Sequence, residues 1–221
     1  MTDETIYVGF PVFKAGPAPA GSDPDVQAKE VSALFDEWSD SVEVRGSYST
    51  AGFRADADLM FWWVARSADA LQDLTIAFRR TELGHRLEPT AQFMGLVRPA
   101  EFTPDHQPAF VKGKEPKPYL CIYPFVRTPE WYLLDPQERG RLLREHGELG
   151  RQFPDVWANT TSAFGLGDWE WILAFEADGP DRLVDLIRAL RNTAARRYTK
   201  VEIPFFTGIR KDILGVVGDL S

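Results

Sequence analysis

DLMFWWVARSADALQDLTIAFRRT, residues 58–81, and DWEWILAFEADGPDRLVDLIRALRNT, residues 168–193, read as two versions of one strand–turn–helix unit. Asp58 matches Asp168 at an offset of 110, and Leu74 and Thr81 match Leu186 and Thr193 at an offset of 112. The two extra residues fall at Gly179-Pro180, a turn that accommodates an insertion. A correspondence of this length is the trace of an internal duplication.

Working outward, periodicity predicts strands over 6–13, 42–50, 58–66 and 90–98, with helices over 25–38 and 68–82. The second half predicts strands over 118–126, 156–163, 168–177 and 200–208, with helices over 136–150 and 180–196. The order is βαββαβ, twice. The expected fold class is therefore α+β: two fused ferredoxin-like repeats forming a dimeric α+β barrel-like fold. Each sheet would bury one face under its helices, and the other faces would meet around a cavity. The expected domains are residues 1–98, a linker loop 99–118 and a second repeat 119–221. The linker, RPAEFTPDHQPAFVKGKEPKP (98–118), is rich in Pro and charge and too long for a plain connection.

Composition narrows the function. The 221 residues are 44% hydrophobic, enough for a sizeable core, and the net charge of −8 argues against a nucleic-acid partner. A single Cys, Cys121, excludes an internal disulfide or a thiolate metal cluster. The opening MTDETIYVGF turns directly into strand-like sequence, so no signal peptide is expected. With no apolar run long enough to span a bilayer, the expected setting is cytoplasmic. The common nucleotide-binding, zinc-protease and serine-hydrolase signatures are absent from the sequence.

The residues that bear chemistry cluster in the second half. YLCIYPFVRTPEWYLL (119–134) sets Tyr123, Arg127 and Trp131 four residues apart around two prolines. Those three make either a packed corner or the wall of a pocket for a large, flat anion. The helix opening Asp135-Pro136-Gln137-Glu138 has an N-cap Asp, a Pro at the first helical position and a capping-box Glu. In its register Leu142, His146, Leu149 and Phe153 share a stripe. His146 is thus an inward histidine, either bonded to backbone or ligating a metal in the cavity. His106, in the linker's PDHQPAF, is either a solvated loop residue or a base over the cavity mouth, whereas His85 reads as a solvated loop or C-cap histidine just past a helix-ending Gly84.

HQPAF, YPFVRTPEWYLL, REHGELGRQFPDVWANTT, FGLGDWEWILAFEAD and RYTKVEIPFFTG together resemble the chlorite dismutase-like superfamily, and within it the actinobacterial coproheme decarboxylases. The match runs from His106 to Arg210, and the first half supports it through its strand–helix order. The resemblance implies peroxide-dependent decarboxylation of two propionates of iron coproporphyrin III (coproheme) to give haem b. By the same resemblance His146 is the axial iron ligand and Tyr123 forms the radical that attacks the propionates. His106 is the distal base for hydrogen peroxide, Arg127 binds a propionate, and Trp131 lines the pocket. Relatives imply a homopentamer, and a ferrochelatase is the expected donor of the iron porphyrin.

Two departures bear on the chemistry. Chlorite dismutases carry a distal Arg in the region that here reads VWANTT (156–161), so Ala158 or Asn159 takes its place and chlorite chemistry is disfavoured. Many relatives carry T-E-A-x-R late in the last helix, and this chain has Thr193-Ala194-Ala195-Arg196, leaving His146 without that carboxylate. The alternative is a haem carrier or peroxidase-like protein on the same fold, and a carrier would need only His146.

Overall fold

Asp23, Ser67 and Thr81 each stand before a helix and accept a backbone N–H through the side chain. In the computed structural model, which describes residues 5–99 and 107–220, those caps open the helices of a first compact unit. That unit runs to Val97 and resumes at Phe206; a second unit runs from Arg98 to Phe205.

The first unit contains β1 (Tyr7–Ala15), α1 (Pro24–Glu37), β2 (Val42–Arg54), β3 (Ala57–Ala65), α2 (Ala68–Phe78), α3 (Glu82–His85) and β4 (Leu87–Leu96). All its strand pairs are antiparallel: β1 lies between β3 and β4, and β2 pairs with β3. Side chains alternate across β3. Leu59, Phe61 and Trp63 therefore turn to one face, where they pack with Phe13, Phe35, Leu74 and Phe78. Phe61 and Phe78 meet edge to face, with centroids 5.1 Å apart.

The second unit contains β5 (Tyr119–Arg127), α4 (Pro129–Leu133), α5 (Pro136–Gly150), β6 (Trp157–Ser162), β7 (Trp171–Ala177), α6 (Pro180–Leu190) and β8 (Thr199–Val201). Here β7 lies between β6 and β5, and β8 pairs with the end of β5, again all antiparallel. The register sets Cys121 opposite Phe175, Tyr123 opposite Leu173, and Ala158 opposite Phe175. This face carries an apolar cluster that includes Leu183 and Leu186 of α6. The last strand and helix, β9 (Phe206–Lys211) and α7 (Ile213–Gly218), belong with the first unit, because β9 pairs with β2.

The elements depart from periodicity in three places. The helix expected over 180–196 stops at Leu190, and residues 194–198 form a 3-10 turn. The strand expected over 200–208 breaks into β8 and β9 on either side of Pro204, which has no N–H for a ladder. Gly84 does not end a helix. It lies inside α3, where a Cβ would stand 2.0 Å from the Phe78 carbonyl oxygen. Crowding against backbone is therefore what demands glycine there. Three short helices, α3, α4 and α7, carry no long periodic stripe and lie outside the expected elements.

Candidate active site

Strand β5 ends where the chemistry-bearing residues gather. Tyr123 sits mid-strand and is 3% exposed, with its ring 4.4 Å from that of Phe205 and 6.0 Å from that of Phe175. Burial, and after it the charge of Glu202, pushes the phenol well above its usual pKa. The phenol is therefore protonated at neutral pH and can give up an electron only together with its proton.

Arg127 closes the same strand. Its backbone N–H donates to the Glu170 carboxylate (2.6 Å), and Nη1 donates to the Ala195 carbonyl (3.0 Å). The guanidinium carbon lies 4.1 Å from the Trp131 ring centroid and 4.7 Å from that of Phe125. Burial holds its pKa down to about 10, so it stays charged at neutral pH. Trp131, on α4, is buried beside Leu142, Ala195 and Tyr198. Thr128-Pro129 starts that helix, and its single turn swings Trp131 back under Arg127.

His146 sits on α5, whose N-cap is Asp135, as its sequence implies. The imidazole is half-buried, and its Nδ1 is 3.4 Å from Oγ1 of Thr193. Burial, and next the Arg127 charge, drives its pKa down to about 4, against a smaller opposing effect of Glu145. The ring is neutral at physiological pH, with a lone pair to offer a metal. Arg127 acts electrostatically on His146, and Glu202 acts on both Tyr123 and Arg127. The structure thus brings Tyr123, Arg127, Trp131 and His146 into one neighbourhood of the second unit. His106 lies outside the described residues.

Other participants had no local signature. Glu202 accepts from Arg191 (3.2 Å) and from Arg196, and both arginines act electrostatically on Tyr123. In sequence they read as ordinary charges at a helix end. Only the pairing of β8 with β5 brings Glu202 to the phenol. A groove of about 500 Å³ runs beside Arg188 and Arg191, between Phe153 and α6. None of Tyr123, Arg127, Trp131 or His146 lines it, so it is not the space between those four side chains.

Strand alternation sends Ala158 and Asn159 to opposite faces of the sheet. Ala158 packs in the cluster that holds Tyr123 and Phe175. Asn159 turns to the opposite sheet face, where it is 2% exposed. Its Oδ1 accepts the N–H of Phe110 (2.9 Å), and its Nδ2 donates to the Ala174 carbonyl (3.2 Å) and the Glu176 carboxylate (3.1 Å). Asn159 anchors the described end of the linker, and Lys114 and Lys117 add to it by lying over the Trp157 ring.

The residues fit an iron porphyrin. Among the described residues no group of three or more His, Cys, Asp or Glu side chains could hold a bare metal ion. A lone neutral imidazole suits a metal that brings its own in-plane ligands. The arginines suit carboxylates at a macrocycle's edge.

This fold and this set of side chains define a class, and residues 25–211 match the family model for chlorite dismutase, so the chain belongs to that family. Among its relatives, a coproheme decarboxylase from Mycolicibacterium smegmatis is 49% identical over 216 residues, covering 97% of this chain and 94% of the relative. A coproheme decarboxylase from Thermus thermophilus is 28% identical over 197 residues, 81% of this chain and 78% of the relative. The fold is also that of a chlorite dismutase variant from Candidatus Nitrospira defluvii, with a TM-score of 0.88 at 24% identity over 99% of this chain and 96% of that one.

Proposed function

We propose that this chain is a coproheme decarboxylase: with hydrogen peroxide it converts two propionates of iron coproporphyrin III to vinyls, giving haem b. One observation carries the reading. A coproheme decarboxylase is 49% identical to the chain along nearly the whole length of both.

His146 would ligate the iron through Nε2, and Arg127 would hold a propionate by its planar fork. The half-buried arginine would compensate for bringing carboxylates out of water. His106 would take the proton from bound peroxide. The iron porphyrin, activated by peroxide, supplies the oxidising equivalents. Tyr123 would give up its electron and proton, then recover a hydrogen atom from the propionate β-carbon. Loss of a second electron from the substrate breaks the carbon–carboxyl bond, releases carbon dioxide and leaves the vinyl. Each propionate consumes one peroxide and one proton and yields one carbon dioxide and two waters. The product has shed two anionic groups, so its hold on the basic residues weakens.

The same reading takes the fold as two ferredoxin-like repeats in a dimeric α+β barrel, with boundaries at residues 98 and 118. It takes the protein as a cytoplasmic homopentamer supplied by a ferrochelatase. The βαββαβ element order supports the repeats.

The test is to mix the purified protein with iron coproporphyrin III, add peroxide and follow the porphyrin mass. Two successive losses of formic-acid size are expected. Tyr123→Phe should bind the porphyrin and yield no such loss; turnover at the unmodified rate would refute the radical assignment.

A further inference from the structure

Thr81 and Thr193 are equivalent positions of the duplication, and their hydroxyls begin alike. Thr81 Oγ1 donates to the Phe78 carbonyl (2.7 Å), and Thr193 Oγ1 donates to the Leu190 carbonyl (3.0 Å). Phe78 and Leu190 are themselves matched at the offset of 112. The two copies then diverge. In the first, the hydroxyl oxygen accepts the N–H of Gly84 (2.9 Å) and caps α3. In the second, the turn after Thr193 takes no side-chain cap, and the oxygen faces Nδ1 of His146 at 3.4 Å.

We propose that Thr193 is the positioning residue that selects the tautomer of His146 and so presents Nε2 to the iron. The inference rests on His146 being the iron ligand. A hydroxyl has a single proton. Thr193 gives it to Leu190, so toward the imidazole its oxygen acts as an acceptor. Nδ1 must then carry the ring proton, and the lone pair is left on Nε2. Glu145, the acid adjacent in sequence, accepts instead from the backbone N–H of Ala194 (3.2 Å). That bond ties the turn bearing Thr193 to α5 and directs the carboxylate to the backbone. Nδ1 therefore meets a neutral oxygen at the long end of hydrogen-bond distance. Such a partner orients the ring without drawing its proton strongly, which makes His146 a weaker donor to iron than a carboxylate-bonded imidazole.

Two measurements on the full-length protein test this. Long-range proton–nitrogen NMR of the porphyrin-free protein at neutral pH should show His146 with a protonated Nδ1 and a bare Nε2; the reverse tautomer overturns the proposal without recourse to any variant. Resonance Raman of the ferrous iron coproporphyrin complex then reads the iron–histidine stretch. Thr193→Val and Thr193→Ala should move that band to lower frequency, and Thr193→Ser should restore it. A band abolished by His146→Ala yet unmoved by loss of the Thr193 hydroxyl overturns the positioning role and leaves the ligand assignment standing. A band that survives His146→Ala sinks the ligand assignment itself.

Discussion

The guanidinium carbon of Arg127 lies over the Trp131 ring, 4.1 Å from its centroid, while Nη1 donates to the Ala195 carbonyl. The ring contact and the carbonyl hydrogen bond together hold the head group and limit the directions from which it can grip a carboxylate. Arg127→Ala should weaken iron coproporphyrin III binding roughly 10- to 100-fold, the ~1.5–3 kcal/mol of a charge-assisted hydrogen bond. Arg127→Lys keeps the charge and loses the fork, so it should fall between. Soret titration gives the affinities, and equal affinities for all three would remove Arg127 from the propionate site.

His146 should make stability depend on pH. Above the ordinary imidazole pKa of ~6.5 the ring is neutral in both folded and unfolded chains and contributes no slope. Between there and about 4 the unfolded chain takes up a proton that the folded chain refuses. Stability therefore falls as pH falls through that window, by at most ~3 kcal/mol, and the contribution levels off below it. The groups acting on the ring are Arg127 from β5, Glu145 from its own helix and Thr193 from the turn after α6. Denaturant midpoints against pH, for the porphyrin-free protein and for His146→Gln, isolate the effect. A flat difference between the two curves would mean the imidazole is solvated.

Asn159 should matter for stability and not for peroxide chemistry. Asn159→Ala takes a donor from the buried Glu176 carboxylate and an acceptor from the Phe110 N–H. A cost of ~2–3 kcal/mol is expected, or a melting temperature lower by roughly 4–12 °C. Protease cleavage within the linker should accelerate. An unchanged melting temperature would mean that this anchor carries little.

Gly84→Ala should be costly although Gly84 has an ordinary helical backbone. Its new methyl would meet the Phe78 carbonyl at 2.0 Å, a contact only backbone movement relieves. The expected loss is ~3 kcal/mol, read as an early thermal transition; tolerance of the substitution would show that α3 shifts freely.

Much of this was legible in the sequence because it is periodic. The stripe of α5 and the Asp135 cap located His146, and the four-residue spacing around two prolines brought Tyr123, Arg127 and Trp131 to attention. Long-range pairing is what local pattern cannot carry. Glu202 reaches Tyr123 through the β8–β5 ladder, and nothing near Glu202 in the chain announces it. Thr193 was visible only as the mark of a duplication and as the edge of a missing glutamate. Its contact with His146 depends on α6 ending at Leu190, where the expected helix would have continued. Gly84 was misread because a glycine required by crowding and one required by a left-handed turn look the same in a sequence.

Ala158 and Asn159 are neighbours on β6 that look out from opposite sides of the sheet. Inheritance can therefore treat them separately. A change at one alters the packing around Tyr123 and Phe175, while the other goes on fastening the preceding segment. A single codon there can be revised while the next one is left untouched.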